Sequence, residues 1–125
     1  AHPISFYREQ LEQLGVTPAR RLVELKNDAP VIVAGLVLLR QRPGTAKGIT
    51  FVTLEDETGT VNLVVHQHMW DRYYAVARRA PAWIAHGHIQ TVPGNYSAVI
   101  HVVVNRLEAL ADKLRQLDVK ARDFR

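Results

Sequence analysis

Residues 31–65 read VIVAGLVLLRQRPGTAKGITFVTLEDETGTVNLVV, and this stretch decides the fold. Val31 to Arg40 is apolar at nearly every position, with Gly35 in the middle. A strand buried on both faces has this pattern, and so does a strand that bends at a glycine to serve two sides of a closed barrel. Pro43, Gly44 and Gly48 then fix a connecting loop from Gln41 to Gly48. Ile49 to Glu55 alternates, the period of a half-buried strand, and Asp56-Glu57-Thr58-Gly59 makes a tight turn into Thr60 to Val65. Three consecutive antiparallel strands are predicted, the first two joined by a basic loop.

Outward from this centre the pattern changes period. From Gln67 to Arg79, Met69, Trp70, Tyr73, Val76 and Ala77 recur at three and four, which predicts a helix stopped by Pro81. Trp70 and Tyr73 are expected to close the bottom of a core. Ala82 to Gln90 and Tyr96 to Asn105 read as two further strands around the turn Thr91-Val92-Pro93-Gly94-Asn95. Upstream, Ile4, Tyr7, Leu11 and Leu14 form one apolar helical stripe ended by Gly15. Thr17-Pro18 opens a second short helix with Leu22 and Leu25 as its buried contacts, and Asn27 to Pro30 breaks it. Three strands, a helix, then two strands is the arrangement of a mainly β, five-stranded OB-fold barrel. The expected organisation is a helical lead-in over 1–30 packed on the barrel, an OB-fold domain over 31–110, and a charged tail over 111–125.

A chain of 125 residues, 47% hydrophobic, is large enough to bury a core as one domain. It has no cysteine, which excludes a disulfide scaffold, a thiol nucleophile and a thiolate metal site. No run approaches the ~20 apolar residues of a membrane span, so no membrane partner is expected; the lack of cysteine is compatible with a reducing cytoplasm, and a cytoplasmic location is expected. Sixteen Lys and Arg against twelve Asp and Glu give a formal net charge of +4, which favours polyanionic partners without establishing them.

Arg40, Arg42 and Lys47 sit on or beside the loop between strands one and two, which in OB folds frames a nucleic-acid groove with the loop between strands four and five. If Val52 and Leu54 face the interior, Phe51 is an outward aromatic beside Thr53 and Asn62, a platform on which a base stacks. His88, Asn95 in the hairpin and Arg106 complete the expected contact set. His86, His88 and His101 share a hairpin but lack a ligand motif with orienting partners, so no metal site is expected. Glu55-Asp56-Glu57 is read as a turn rather than as paired catalytic carboxylates. No phosphate loop, GxSxG or Ser/His/Asp grouping is present, and no catalytic residue is expected.

At VAGLVLLRQRPGTAKGITFVTLEDETGTVNLVV the chain resembles the C-terminal OB region of bacterial error-prone DNA polymerases, the ImuC-type branch of the C-family (polymerase III alpha subunit-like) enzymes. HPISFYREQLEQLGV resembles the entry to that region, SAVIHVVVNRLEAL its last strand and ARDFR its terminal residues. The resemblance implies a fragment of a DNA-directed DNA polymerase (a nucleotidyltransferase) acting in translesion synthesis, DNA repair and DNA replication after DNA damage. The polymerase carboxylates and magnesium would lie upstream, leaving this segment a single-stranded DNA binding module without cofactor or catalysis. It further implies an ImuB-like protein, a RecA-like accessory protein and the sliding clamp as partners of the parent. A protein-interaction module docking those partners is the alternative, and a tRNA anticodon-binding OB domain a third. His86 and His88 stand where the family commonly shows arginines, and VPGNY replaces a glycine-rich turn.

Overall fold

The computed structural model describes residues 2–44, 47–96 and 98–123, the last five by backbone alone. Five strands, β1 (Pro30–Gln41), β2 (Ile49–Asp56), β3 (Gly59–His66), β4 (Ala82–Val92) and β5 (Val99–Ala109), close a barrel in the order β1-β2-β3-β5-β4. All neighbours are antiparallel except β3 and β5. This is the predicted OB barrel. β1 closes it by pairing with β4 through residues 30–36 and with β2 through residues 36–41. Gly35 sits at the crossover, where a Cβ would lie 2.6 Å from the carbonyl oxygen of Glu55. No other residue lets the two backbones approach so closely.

The barrel interior is aliphatic. Val33, Val52, Leu54, Leu63, Val65, Ile89 and Val102 alternate inward from their strands, with Trp83 fully buried among them. The single predicted helix over 67–79 is two short ones, α2 (Gln67–Arg72) and α3 (Tyr74–Arg79), broken at Tyr73. They cover one end of the barrel with Met69, Trp70, Tyr73, Val76 and Ala77 packed on the core.

A second apolar cluster lies outside the barrel. The 3-10 turn Pro3–Tyr7 and helix α1 (Arg8–Gln13) bring Ile4 and Leu11 against Ala34 and Ile84 on the outer surface of β1 and β4. A further 3-10 turn, Ala19–Glu24, buries Leu22 in the main core; Thr17 caps nothing there, since Pro18 occupies the N-cap. The charged tail is helical. In α4 (Leu110–Asp123), Leu110 and Leu114 join the outer cluster. Among the described residues no helix is long and apolar enough to cross a membrane.

Candidate nucleic-acid interface

The registers align two rows of side chains across the open outer face of the sheet. One runs Gln41–Phe51–Val64–Val103–His88 and the next Leu39–Thr53–Asn62–His101–Gln90. The residues between them in each strand, such as Val52, Leu63, Val102 and Ile89, are buried inside, so alternation turns both rows outward. Phe51 is half-buried and its ring lies 6.2 Å from the His101 imidazole, tilted by 56°. Thr53 donates its hydroxyl to Asn62 Oδ1 at 3.3 Å. The structure thus brings Phe51, Thr53, Asn62 and His88 onto one surface. It adds Leu39, Gln41, Gln90, His101 and Val103, with Val64 buried in the row between Phe51 and Val103, which pairing registers reveal and a single strand's periodicity does not.

Two loops bound this face at opposite ends. The loop after β1 lies beyond the first row and carries exposed Lys47; Thr45 and Ala46 are outside the described residues. The β4–β5 hairpin lies beyond the second row and carries exposed Asn95; Ser97 is outside the described residues.

Arg40 and Arg42 do not face this surface. The register between β1 and β2 shifts between Val37 and Leu39, so Val37 opposes Leu54 and Leu39 opposes Thr53. One extra residue in a strand exchanges its two faces. Beyond the bulge Leu39 and Gln41 point out, while Arg40 and Arg42 point to the barrel end covered by α2 and α3. There Arg40 donates from Nε to the carbonyl of Ala77 (2.8 Å) and from Nη2 to that of Ala80 (3.0 Å). Its guanidinium lies 5.6 Å above the Trp83 ring. These are the unpaired carbonyls at the end of α3, which a cation satisfies well, and burial pulls the Arg40 pKa below its ordinary value. Arg42 donates from Nε and Nη2 to the Thr50 hydroxyl, both at 3.2 Å, and lies 5.8 Å from the Trp70 ring.

Arg106 lies one row beyond His88. A second register shift, between His86 and Gly87, sets it opposite His86 on the outward side of β5, where it stays 57% exposed and meets its strand neighbour Glu108 at 3.6 Å. Glu108 accepts from His86 Nε2 at 3.0 Å and pairs with Lys113 of α4 at 3.5 Å. Burial alone would raise the Glu108 pKa; the His86 hydrogen bond and the Lys113 and Arg106 charges outweigh it and hold the carboxyl below its usual range.

The acidic turn is a structural knot. Asp56, 4% exposed, accepts at Oδ1 from Thr58 N and Oγ1 (both 2.7 Å) and Gly59 N (3.1 Å). Its Oδ2 accepts from Ala19 N at 2.8 Å and from Arg8 at 3.4 Å. Arg8 also donates from Nε to Glu57 at 2.9 Å, and His2 meets Glu55 at 2.8 Å. The Arg8 hydrogen bond holds the Glu57 carboxyl below its usual range. These carboxylates are filled by protein donors, and the magnesium implied for a parent polymerase does not fit them.

The family described as OB-fold nucleic acid binding domain matches residues 31–117. The chain belongs to that family. The error-prone DNA polymerase of Rhodopirellula baltica is 51% identical over 125 residues, 100% of this chain and 11% of that protein. That of Caulobacter vibrioides is 52% identical over 117 residues, 94% of this chain and 10% of that protein. The chain therefore spans about a tenth of the length of the curated relatives it matches, as expected of a polymerase fragment. Among solved structures, an asparaginyl-tRNA synthetase of Pyrococcus horikoshii complexed with asparaginyl-adenylate superposes with a TM-score of 0.58 at 22% identity, over 76% of this chain and 22% of that one. The hypothetical protein ygiW from E. coli gives 0.57 at 16% identity, over 76% of this chain and 89% of that one. These two likenesses concern the fold alone.

Proposed function

We propose that this OB domain is a single-stranded DNA binding module of an error-prone translesion DNA polymerase and carries out no chemistry itself. The observation that carries the reading is the pair of cross-sheet rows centred on Phe51, Thr53, Asn62 and His101. An aromatic ring with amide, hydroxyl and imidazole groups around it offers a base one stacking surface and several hydrogen-bonding edges. Lys47 at one end supplies a phosphate contact, and Asn95 at the other a polar one. Arg40 is not part of the surface, because α3 carbonyls hold its guanidinium, whereas Arg106, paired with Glu108 but still exposed, stands one row beyond His88 at the edge of the face. The relatives' printed name supports DNA over tRNA as the ligand. The ImuB-like protein, RecA-like protein and sliding clamp are partners proposed for the whole polymerase, which would act in the bacterial cytoplasm.

The test is Phe51→Ala in an oligonucleotide titration. Loss of one stacked base is worth ~1–3 kcal/mol, so affinity should drop about 5- to 150-fold with the salt dependence unchanged. Unaltered affinity in a folded variant would remove Phe51 and this face from the binding site.

A further inference from the structure

Behind the lip of β1, on the side away from Phe51, lies a pocket of about 410 Å³ lined by Arg40, Arg42, Thr50, Trp70, Tyr74 and Arg78. Among the described residues, none of its three arginines lies within ion-pair distance of a carboxylate. Arg40 is held by two carbonyls and Arg42 by the Thr50 hydroxyl. Arg78 donates from Nη1 to the Tyr74 hydroxyl at 2.7 Å and lies 5.7 Å from that ring. All these partners are neutral. The acid at hand on α2, Asp71, accepts from Gln67 at 2.8 Å.

We propose that this pocket is a second nucleic-acid subsite, in which Arg42 and Arg78 bind backbone phosphates of a strand that passes from the Phe51 face over the lip of β1. A guanidinium carries five N–H donors. Arg42 places two of them on Thr50 and Arg78 one on Tyr74, so each keeps donors for the paired hydrogen bonds that phosphate oxygens accept. An anion seated in the pocket would meet all three guanidiniums on its wall. The rings of Trp70 and Tyr74 hold the arginine planes and give an adjoining base a surface to lie on. A strand of nucleic acid fits better than an acidic peptide because the pocket adjoins the face continuously. Gln41 ends the Phe51 row, and Arg42 next to it opens the pocket.

This inference rests on the nucleic-acid reading of the domain and takes the strand's path from the Phe51 face, but the phosphate contacts of Arg42 and Arg78 are tested separately from that face. The 125-residue chain and its Arg42→Ala/Arg78→Ala variant are titrated with fluorescent oligothymidylates of about four and about sixteen nucleotides, the range one OB fold covers. Thermal melts check that both chains are folded. The expected result for the long strand is an affinity loss of about tenfold or more and a salt slope lower by roughly 1.4, two contacts at ~0.7 each. The short strand, which the Phe51 face holds, should lose much less. Arg42→Lys/Arg78→Lys should recover the slope, since each ammonium still neutralises a phosphate. An unchanged slope and affinity in the folded alanine variant would overturn the proposal. So would arginine-dependent binding of polyglutamate with unaltered DNA affinity, which would assign the pocket to an acidic protein. If Phe51→Ala has no effect while the arginine pair does, the face reading fails and the pocket stands.

Discussion

Strand β2 joins two charged regions that are built oppositely. At its C-terminal end, Glu55, Asp56 and Glu57 are matched by His2, Arg8 and the amides of Ala19, Thr58 and Gly59. At its N-terminal end, Thr50 lies under Arg42, beside Arg40 and Arg78, and neutral groups satisfy all three. The first region spends its charge on itself and ties the N-terminal segment to the barrel. The second keeps its positive charge available to an outside anion. A count of charges along the chain would rank the two regions alike; their partners separate a structural knot from the surface proposed to bind phosphate.

The comparison is broken most directly at Asp56. Removing this buried carboxylate leaves the amides of Ala19, Thr58 and Gly59 without their acceptor and takes from Arg8 one of its two carboxylate partners, so Asp56→Ala should cost about 3–5 kcal/mol of stability in urea unfolding. A cost below about 1 kcal/mol would mean that the turn holds nothing together. At the opposite end, Arg40→Ala leaves the final carbonyls of α3 unsatisfied and uncovers Trp83. About 1.5–3 kcal/mol should be lost there, with Arg40→Lys recovering only part, because an ammonium lacks the guanidinium fork that spans both carbonyls. Full recovery by lysine would reduce Arg40 to a point charge at a helix terminus.

The smallest effect sharpens the comparison through pH. Glu57 has a lowered pKa in the folded chain, so its contribution is fully present above the unfolded carboxylate value of about 4.3. It is lost as pH falls through the lowered folded value. Melting curves of the wild type and Glu57→Gln should therefore lie apart at neutral pH and converge in acid. A gap that persists unchanged into acid would contradict the Arg8–Glu57 account.

The strand order and the two faces of β2 were legible in the sequence because alternation and turn chemistry are local. Alternation put Val52 and Leu54 on one side and Phe51 and Thr53 on the other, and DETG was read as a turn; the structure makes the first pair the inner one. The orientation of Arg40 and Arg42 was not legible. In β1 the residues Val31, Val33 and Val37 point inward, and continued alternation would have sent Arg40 and Arg42 to the open face. The bulge after Val37 reverses that parity, and nothing in LVLLRQR marks where an extra residue enters the ladder. The helical tail escaped for another reason: Leu110 and Leu114 acquire their apolar partners only when β1 and β4 pair and α1 packs on them. The fourfold spacing of Tyr74 and Arg78 was a local signal for the pocket, and it gained meaning only when α3 came to lie beside Arg42.

On the function proposed above, the outer face bearing Phe51 binds single-stranded DNA while the acidic turn does not. The most direct measurement follows the backbone amide resonances of the 125-residue chain as an oligothymidylate is added at low salt. The expected shifts concentrate at Phe51, Thr53, Asn62, Val64, His101 and Val103, fade as salt is raised, and leave Asp56 and Thr58 in place. Shifts centred on residues 55–59, or no shifts at any salt concentration, would contradict it.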